Sequence, residues 1–132
     1  MRFYVASGLE NLVRVKRALE KIRSLGHDVS YDWTQHGDVR TKGTDALNAV
    51  AGSETFAVMD SDRVLILLPG GKGTHTELGI ALASRANKRI ILWSETGEEF
   101  ESNKNTCAFY HHSAVEKLRC GFEELLSFIE TI

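Results

Sequence analysis

Proline is almost missing from this chain, which has one in 132 residues, Pro69, at the end of an apolar run rather than in a linker. No Pro/Gly/Ser-rich tract, repeat or low-complexity segment accompanies it, so nothing marks a boundary and residues 1–132 are expected to form one domain. Hydrophobic residues, at 42%, suffice for one core. Charge of one sign is not in excess either: 16 basic and 18 acidic side chains leave −2. The field that draws a protein onto a nucleic acid polymer or an anionic membrane is therefore missing, and neither is an expected partner. Long hydrophobic runs are absent too. Phe3 to Ala6 is too short for a secretory core and no later run approaches a membrane span, so a cytoplasmic location is expected. The two cysteines, Cys107 and Cys120, have neither metal-ligand spacing nor the density of a disulfide scaffold and read as buried thiols.

What is present is an alternation of strand-like and helix-like segments. Phe3-Tyr4-Val5-Ala6 ends at a Ser-Gly turn, after which Leu12, Val15, Leu19 and Ile22 recur at helical spacing until Gly26. Val29 and Tyr31 alternate with polar neighbours as a half-buried strand does, and the polar stretch Asp32 to Thr44 that follows has the length of a functional loop. Leu47, Val50, Ala51 and Val58 mark one helical face, with Gly52-Ser53 as a candidate interruption. Glu54 shares that face and, as a carboxylate among apolar residues, needs a partner or a crevice. Val64 to Leu68 and Ile90 to Trp93 are continuous runs typical of strands covered on both sides. Cys107 to Tyr110 reads as a fifth strand, and Val115, Leu118, Phe122, Leu125 and Ile129 as the stripe of a last helix. The predicted fold is doubly wound α/β, Rossmann- or flavodoxin-like: a parallel five-stranded sheet with helices on both faces.

In such sheets a ligand lies beyond the C-terminal ends of the strands, where the strand order reverses and two loops diverge. The candidate loops are Ser7-Gly8-Leu9-Glu10 and Pro69 to Thr76. Gly70, Gly71 and Gly73 let the backbone approach a ligand, and the following helix directs free N–H groups into the crevice. A tight turn with no ligand would use the same glycines. Glu77 points to chemistry: a carboxylate in the first turn of that helix is favoured in its ionised form by the helix dipole, and against a sugar it can bond to the anomeric carbon or stabilise positive charge there. As a favourable first-turn acid alone it would need no ligand.

Phe3-Tyr4-Val5-Ala6-Ser7-Gly8, together with Asp62 to Ala83 and its run Gly73-Thr74-His75-Thr76-Glu77-Leu78-Gly79, resembles the nucleoside 2-deoxyribosyltransferase superfamily over nearly the whole chain. That superfamily includes the 2'-deoxynucleoside 5'-phosphate N-hydrolases. The resemblance implies cleavage or transfer at the N-glycosidic bond of a small-molecule (deoxy)nucleoside or its 5'-monophosphate. It implies Glu77 as nucleophile, Tyr4 as the residue that positions it, and Glu54 near the place of an acid that is usually Asp. It also implies a homodimer or a dimer of dimers, with sites completed across the contact. Gly71 stands where the transferases tend to carry an additional Asp. Pro69-Gly70-Gly71-Lys72-Gly73-Thr74-His75-Thr76-Glu77 also fits the PGGxGTxxE motif of phosphoribohydrolases that release cytokinin bases from nucleoside 5'-monophosphates. That family's Arg-Lys pair, however, has no counterpart in Glu54 to Asp60. A non-catalytic nucleotide-binding module on the same fold is the remaining alternative.

Around the crevice, Ser7, Gly8, Gly70, Gly71, Gly73 and Thr74 are the candidate substrate-binding residues. With the transferases' acid gone at Gly71, they and Lys72 favour an anion, so a 5'-phosphate is expected there. Trp33 either stacks on a base or packs a sheet edge, and Asn105 lies where relatives supply a polar residue. His75, His111 and His112 lack the spacing of a ligand set, and neither a metal nor a cofactor is expected.

Overall fold

The computed structural model describes all 132 residues. Five strands, β1 (Arg2–Ser7), β2 (Asp28–Val29), β3 (Arg63–Leu67), β4 (Arg89–Ser94) and β5 (Val115–Arg119), form one sheet. The helices are α1 (Leu12–Ser24), α2 (Thr44–Met59), α3 (Lys72–Ala83) and α4 (Phe122–Ile129). The strand order is β2-β1-β3-β4-β5 and every neighbouring pair is parallel. The fold is the expected doubly wound α/β sheet. Every residue of β3 and β4 after the first is buried, as a strand covered on both faces requires. Because parallel crossovers are right-handed, α1, running outward to β2, covers the face opposite to α2 and α3, which serve connections running the other way. Accordingly α1 packs beside α4, and α2 beside α3. The order reverses between β1 and β3, and the two candidate loops leave the sheet there. No helix is long and apolar enough to cross a membrane.

Three elements differ from the sequence-based expectation. Cys107 to Tyr110 is not a strand: Ala108–His111 is a 3-10 turn, and the fifth strand is Val115–Arg119. Val115 and Leu118 therefore belong to β5, while the helix begins only after Gly121, whose carbonyl accepts the first helical bond from Leu125. As an edge strand paired only with β4, β5 tolerates Glu116, Lys117 and Arg119, which hide its strand character. Gly52-Ser53 does not interrupt α2, since one glycine costs a helix interior only about 1 kcal/mol. On that helix Ala57 and Val58 are buried, whereas Leu47 and Ala51 are exposed. β2 is two residues long and excludes Tyr31. The C-terminal end of α2 is held by Lys88, whose ammonium donates to Val58 O at 3.0 Å, Met59 O at 3.1 Å and Ser61 O. A cation on the last carbonyls of a helix also complements its dipole.

Candidate active site

The floor of the crevice is stitched by hydrogen bonds between the two loops. Gly8 N–H donates to Pro69 O at 3.2 Å. The Ser7 hydroxyl donates to Leu67 O at 2.7 Å, and Asn11 Nδ2 donates to Ser7 Oγ at 3.0 Å and to Leu68 O at 3.3 Å. The one proton of Ser7 is thus already spent within the protein. Asn11, buried beside it, escaped the sequence reading because a lone polar residue at a helix start looks solvated. Gly70 is required by packing, since a Cβ there would meet Thr74 Cγ2 at 2.5 Å. Thr74 in turn accepts the Gly71 N–H at 3.1 Å. Gly71 and Gly73 face open space, so a ligand can approach their backbone.

Glu77 is not in the first turn. With α3 beginning at Lys72 it is the sixth residue, and its side chain is buried rather than at the helix mouth. The Tyr4 hydroxyl donates to Glu77 Oε2, and Tyr4 itself is wholly buried. Contrary to the dipole expectation, the Glu77 carboxyl is pushed up to about 8. Burial is the main cause and the Glu54 charge adds to it, while the Tyr4 hydrogen bond opposes both. Desolvation outweighs the dipole because the dipole's influence falls off beyond the first turn. Burial, and then the charges of Glu77 and Glu54, hold the Tyr4 phenol far above its ordinary value.

Glu54 is half-buried on α2 and is also raised, by burial, with His36 pulling the other way. Tyr31 is raised by burial and by Glu54. These effects draw Tyr4, Tyr31, His36, Glu54 and Glu77 into one electrostatic group at the strand-order reversal. A site role for Tyr31 and His36 was not foreseen; their rings lie 5.8 Å apart, Tyr31 just before the polar loop and His36 within it, the one signal being that loop's length. His36 Nδ1 lies 2.7 Å from Gly37 O, so this nitrogen carries the proton, and Nε2 is buried with no partner.

Trp33 is 6% exposed and donates its indole N–H to Val5 O at 2.8 Å, so most of its ring surface is inside the core beneath the crevice. Asn105 lies across the glycine loop, where Pro69, Gly70 and His75 on one side and Glu98, Glu99 and Asn105 on the other enclose a cleft of about 410 Å³. The far wall of the cleft includes Tyr110, whose hydroxyl is 2.6 Å from His75 Nε2; His75 Nδ1 is 2.6 Å from Gly71 O. Burial is the main cause that pushes the Tyr110 phenol up to about 12. No three His, Cys, Asp or Glu side chains come together as a metal-ligand set.

No family model matches this sequence, and no curated protein matches it. Solved structures do. A CMP N-glycosidase from Clostridium botulinum superposes with a TM-score of 0.67 at 18% identity, covering 98% of this chain and 99% of the other. A 2-deoxyribosyltransferase from Bacillus psychrosaccharolyticus gives 0.71 at 19% identity, covering 96% of this chain and 90% of the other. A conserved protein from Enterococcus faecalis V583 gives 0.65 at 19% identity, covering 99% and 98%. Likeness at this identity establishes a common fold along nearly the full length of the chains, and chemistry has to be argued from the residues.

Proposed function

We propose that this protein is an enzyme that cleaves or transfers the N-glycosidic bond of a (deoxy)nucleoside or its 5'-monophosphate, with Glu77 as nucleophile. The observation that carries this reading is the buried Glu77 carboxylate held by the Tyr4 hydroxyl at the strand-order reversal. The two neighbours of like fold named for their activity, a CMP N-glycosidase and a 2-deoxyribosyltransferase, add support. Ionised Glu77 attacks C1' of the sugar as the C1'–N bond breaks, and the bonding pair leaves on the base nitrogen, which takes up a proton. Water, or the nitrogen of a second base, then opens the glycosyl ester at C1' and returns the carboxylate. Tyr4 occupies Oε2 and leaves Oε1 for the sugar. Glu54 supplies a second carboxyl beside the reacting centre. The protein incubated with a panel of nucleosides and 5'-monophosphates, with and without a second free base, should release or exchange a base from at least one of them, read by chromatography. Intact substrate throughout the panel would overturn the reading.

The reading includes a homodimer or a dimer of dimers. It is supported by α2, where Phe56 and Met59, three residues apart on one face, are 69% and 56% exposed and offer apolar surface that a second copy would cover. Sedimentation at micromolar concentration should show a dimer or tetramer, and Phe56→Glu should weaken association about tenfold or more. A wild type that sediments only as monomer removes this part of the proposal.

A further inference from the structure

The cleft between the glycine loop and the β4–β5 connection has a polarity that can be worked out atom by atom. Gly71 O accepts only, so His75 Nδ1, 2.6 Å away, carries a proton. In the neutral ring Nε2 is then a lone pair, and the Tyr110 hydroxyl 2.6 Å away donates to it. Tyr110 is 4% exposed and packs its ring on His75 with centroids 5.6 Å apart, so the hydroxyl is fixed and offers the cleft only its remaining lone pairs. Glu99 Oε1 accepts from the Ser94 hydroxyl at 2.7 Å and Glu98 Oε1 from Asn105 Nδ2 at 3.1 Å, which leaves Oε2 of each without a partner. No lysine or arginine lines the cleft, and Lys72 is solvent-exposed outside it. Among the lining side chains, apart from one N–H of Asn105, the Cys107 thiol and a Thr106 hydroxyl engaged with His111, the polar groups accept and do not donate.

We propose that this cleft is a subsite for a hydrogen-bond-donating, uncharged or amine-bearing group, and that it selects the unphosphorylated nucleoside over its 5'-monophosphate. The proposal rests on the reading of Glu77 as the reacting residue of a nucleoside-processing site and narrows its substrate. It reverses the expectation of a phosphate drawn from Gly71 and Lys72. An anion seated on the glycine loop would face Glu98 and Glu99 across the cleft. Like charges across a site commonly cost several powers of ten in affinity when desolvated, and fewer when water screens them. The donor has two possible sources, the 5'-hydroxyl of the sugar or an exocyclic amine of the base.

Binding to Glu77→Gln, measured by calorimetry, tests the subsite without turnover. Four probes are used: cytidine, cytidine 5'-monophosphate, 5'-deoxycytidine and uridine. Cytidine should bind about 30-fold or more tightly than its monophosphate. Weakening with 5'-deoxycytidine alone assigns the donor to the sugar, and weakening with uridine alone assigns it to the base. In Glu98→Gln/Glu99→Gln, where each amide turns a donor into the cleft, the preference over the monophosphate should fall to within about threefold or reverse. Equal or tighter binding of the monophosphate in the Glu77→Gln protein overturns the subsite. Binding of none of the four overturns it together with the nucleoside reading. Selective binding of cytidine, with no base release by wild type, sustains the subsite and overturns the enzymatic reading alone.

Discussion

Glu77→Gln is expected to reduce base release by about a thousandfold or more while raising the melting temperature at pH 8. The first effect follows because an amide cannot attack C1', whereas shape and the hydrogen bond from Tyr4 are retained. The second follows from burial. A carboxyl lifted from 4.5 to about 8 in the folded protein binds more protons folded than unfolded, so stability falls as pH rises between those values. At about 1.4 kcal/mol per pH unit, ionising Glu77 costs the fold on the order of 4 to 5 kcal/mol, and a neutral isostere removes that cost. The gain in melting temperature should be marked at pH 8 and small at pH 5. A folded variant that still releases base removes Glu77 from the nucleophile's role. If the wild type binds nucleosides as tightly as the variant and neither releases base, a binding module is the better reading.

The pH dependence of kcat/KM should move in opposite directions when the two neighbours of Glu77 are changed. A nucleophile must be ionised, so wild-type kcat/KM should rise with pH and level off above about 8. The Tyr4 hydrogen bond stabilises the carboxylate, so Tyr4→Phe should carry the rising limb to higher pH and lower activity at pH 7 by about 10-fold to 100-fold. The Glu54 charge disfavours ionisation, so Glu54→Gln should carry the limb to lower pH. A wild-type profile that falls through pH 8 would make protonated Glu77 a general acid instead. Shifts of the same sign in both variants would contradict the electrostatic account of the site.

Much of the fold was legible because it is local. The runs in β3 and β4 and the helical spacing in α1 repeat over one element, and period alone identifies them. The glycine loop and Glu77 were legible for the same reason, as a strand, a turn and a helix in succession. β5 was not, because an edge strand with Glu116, Lys117 and Arg119 has one partner and no apolar period, and Gly121 cut the apparent stripe that joined Val115 to Ile129. Apolar positions on α2 suggested a buried face, yet Leu47 and Ala51 are exposed, since the pattern reports a face without reporting what covers it.

The sequence by itself determined the class of sheet and the crevice between the β1 and β3 loops, near which the structure places the hydrogen-bonded pair Tyr4 and Glu77. Only the tertiary structure decided the state of that pair. The proton on Glu77 depends on burial and on Glu54, which lies 23 positions away and reaches it across the contact of α2 with α3. The same holds for the acceptor-lined cleft, assembled from the glycine loop, α3 and a polar loop that no period marks. Periodicity is carried by neighbours in the chain, whereas desolvation and Coulomb interaction are set by neighbours in space.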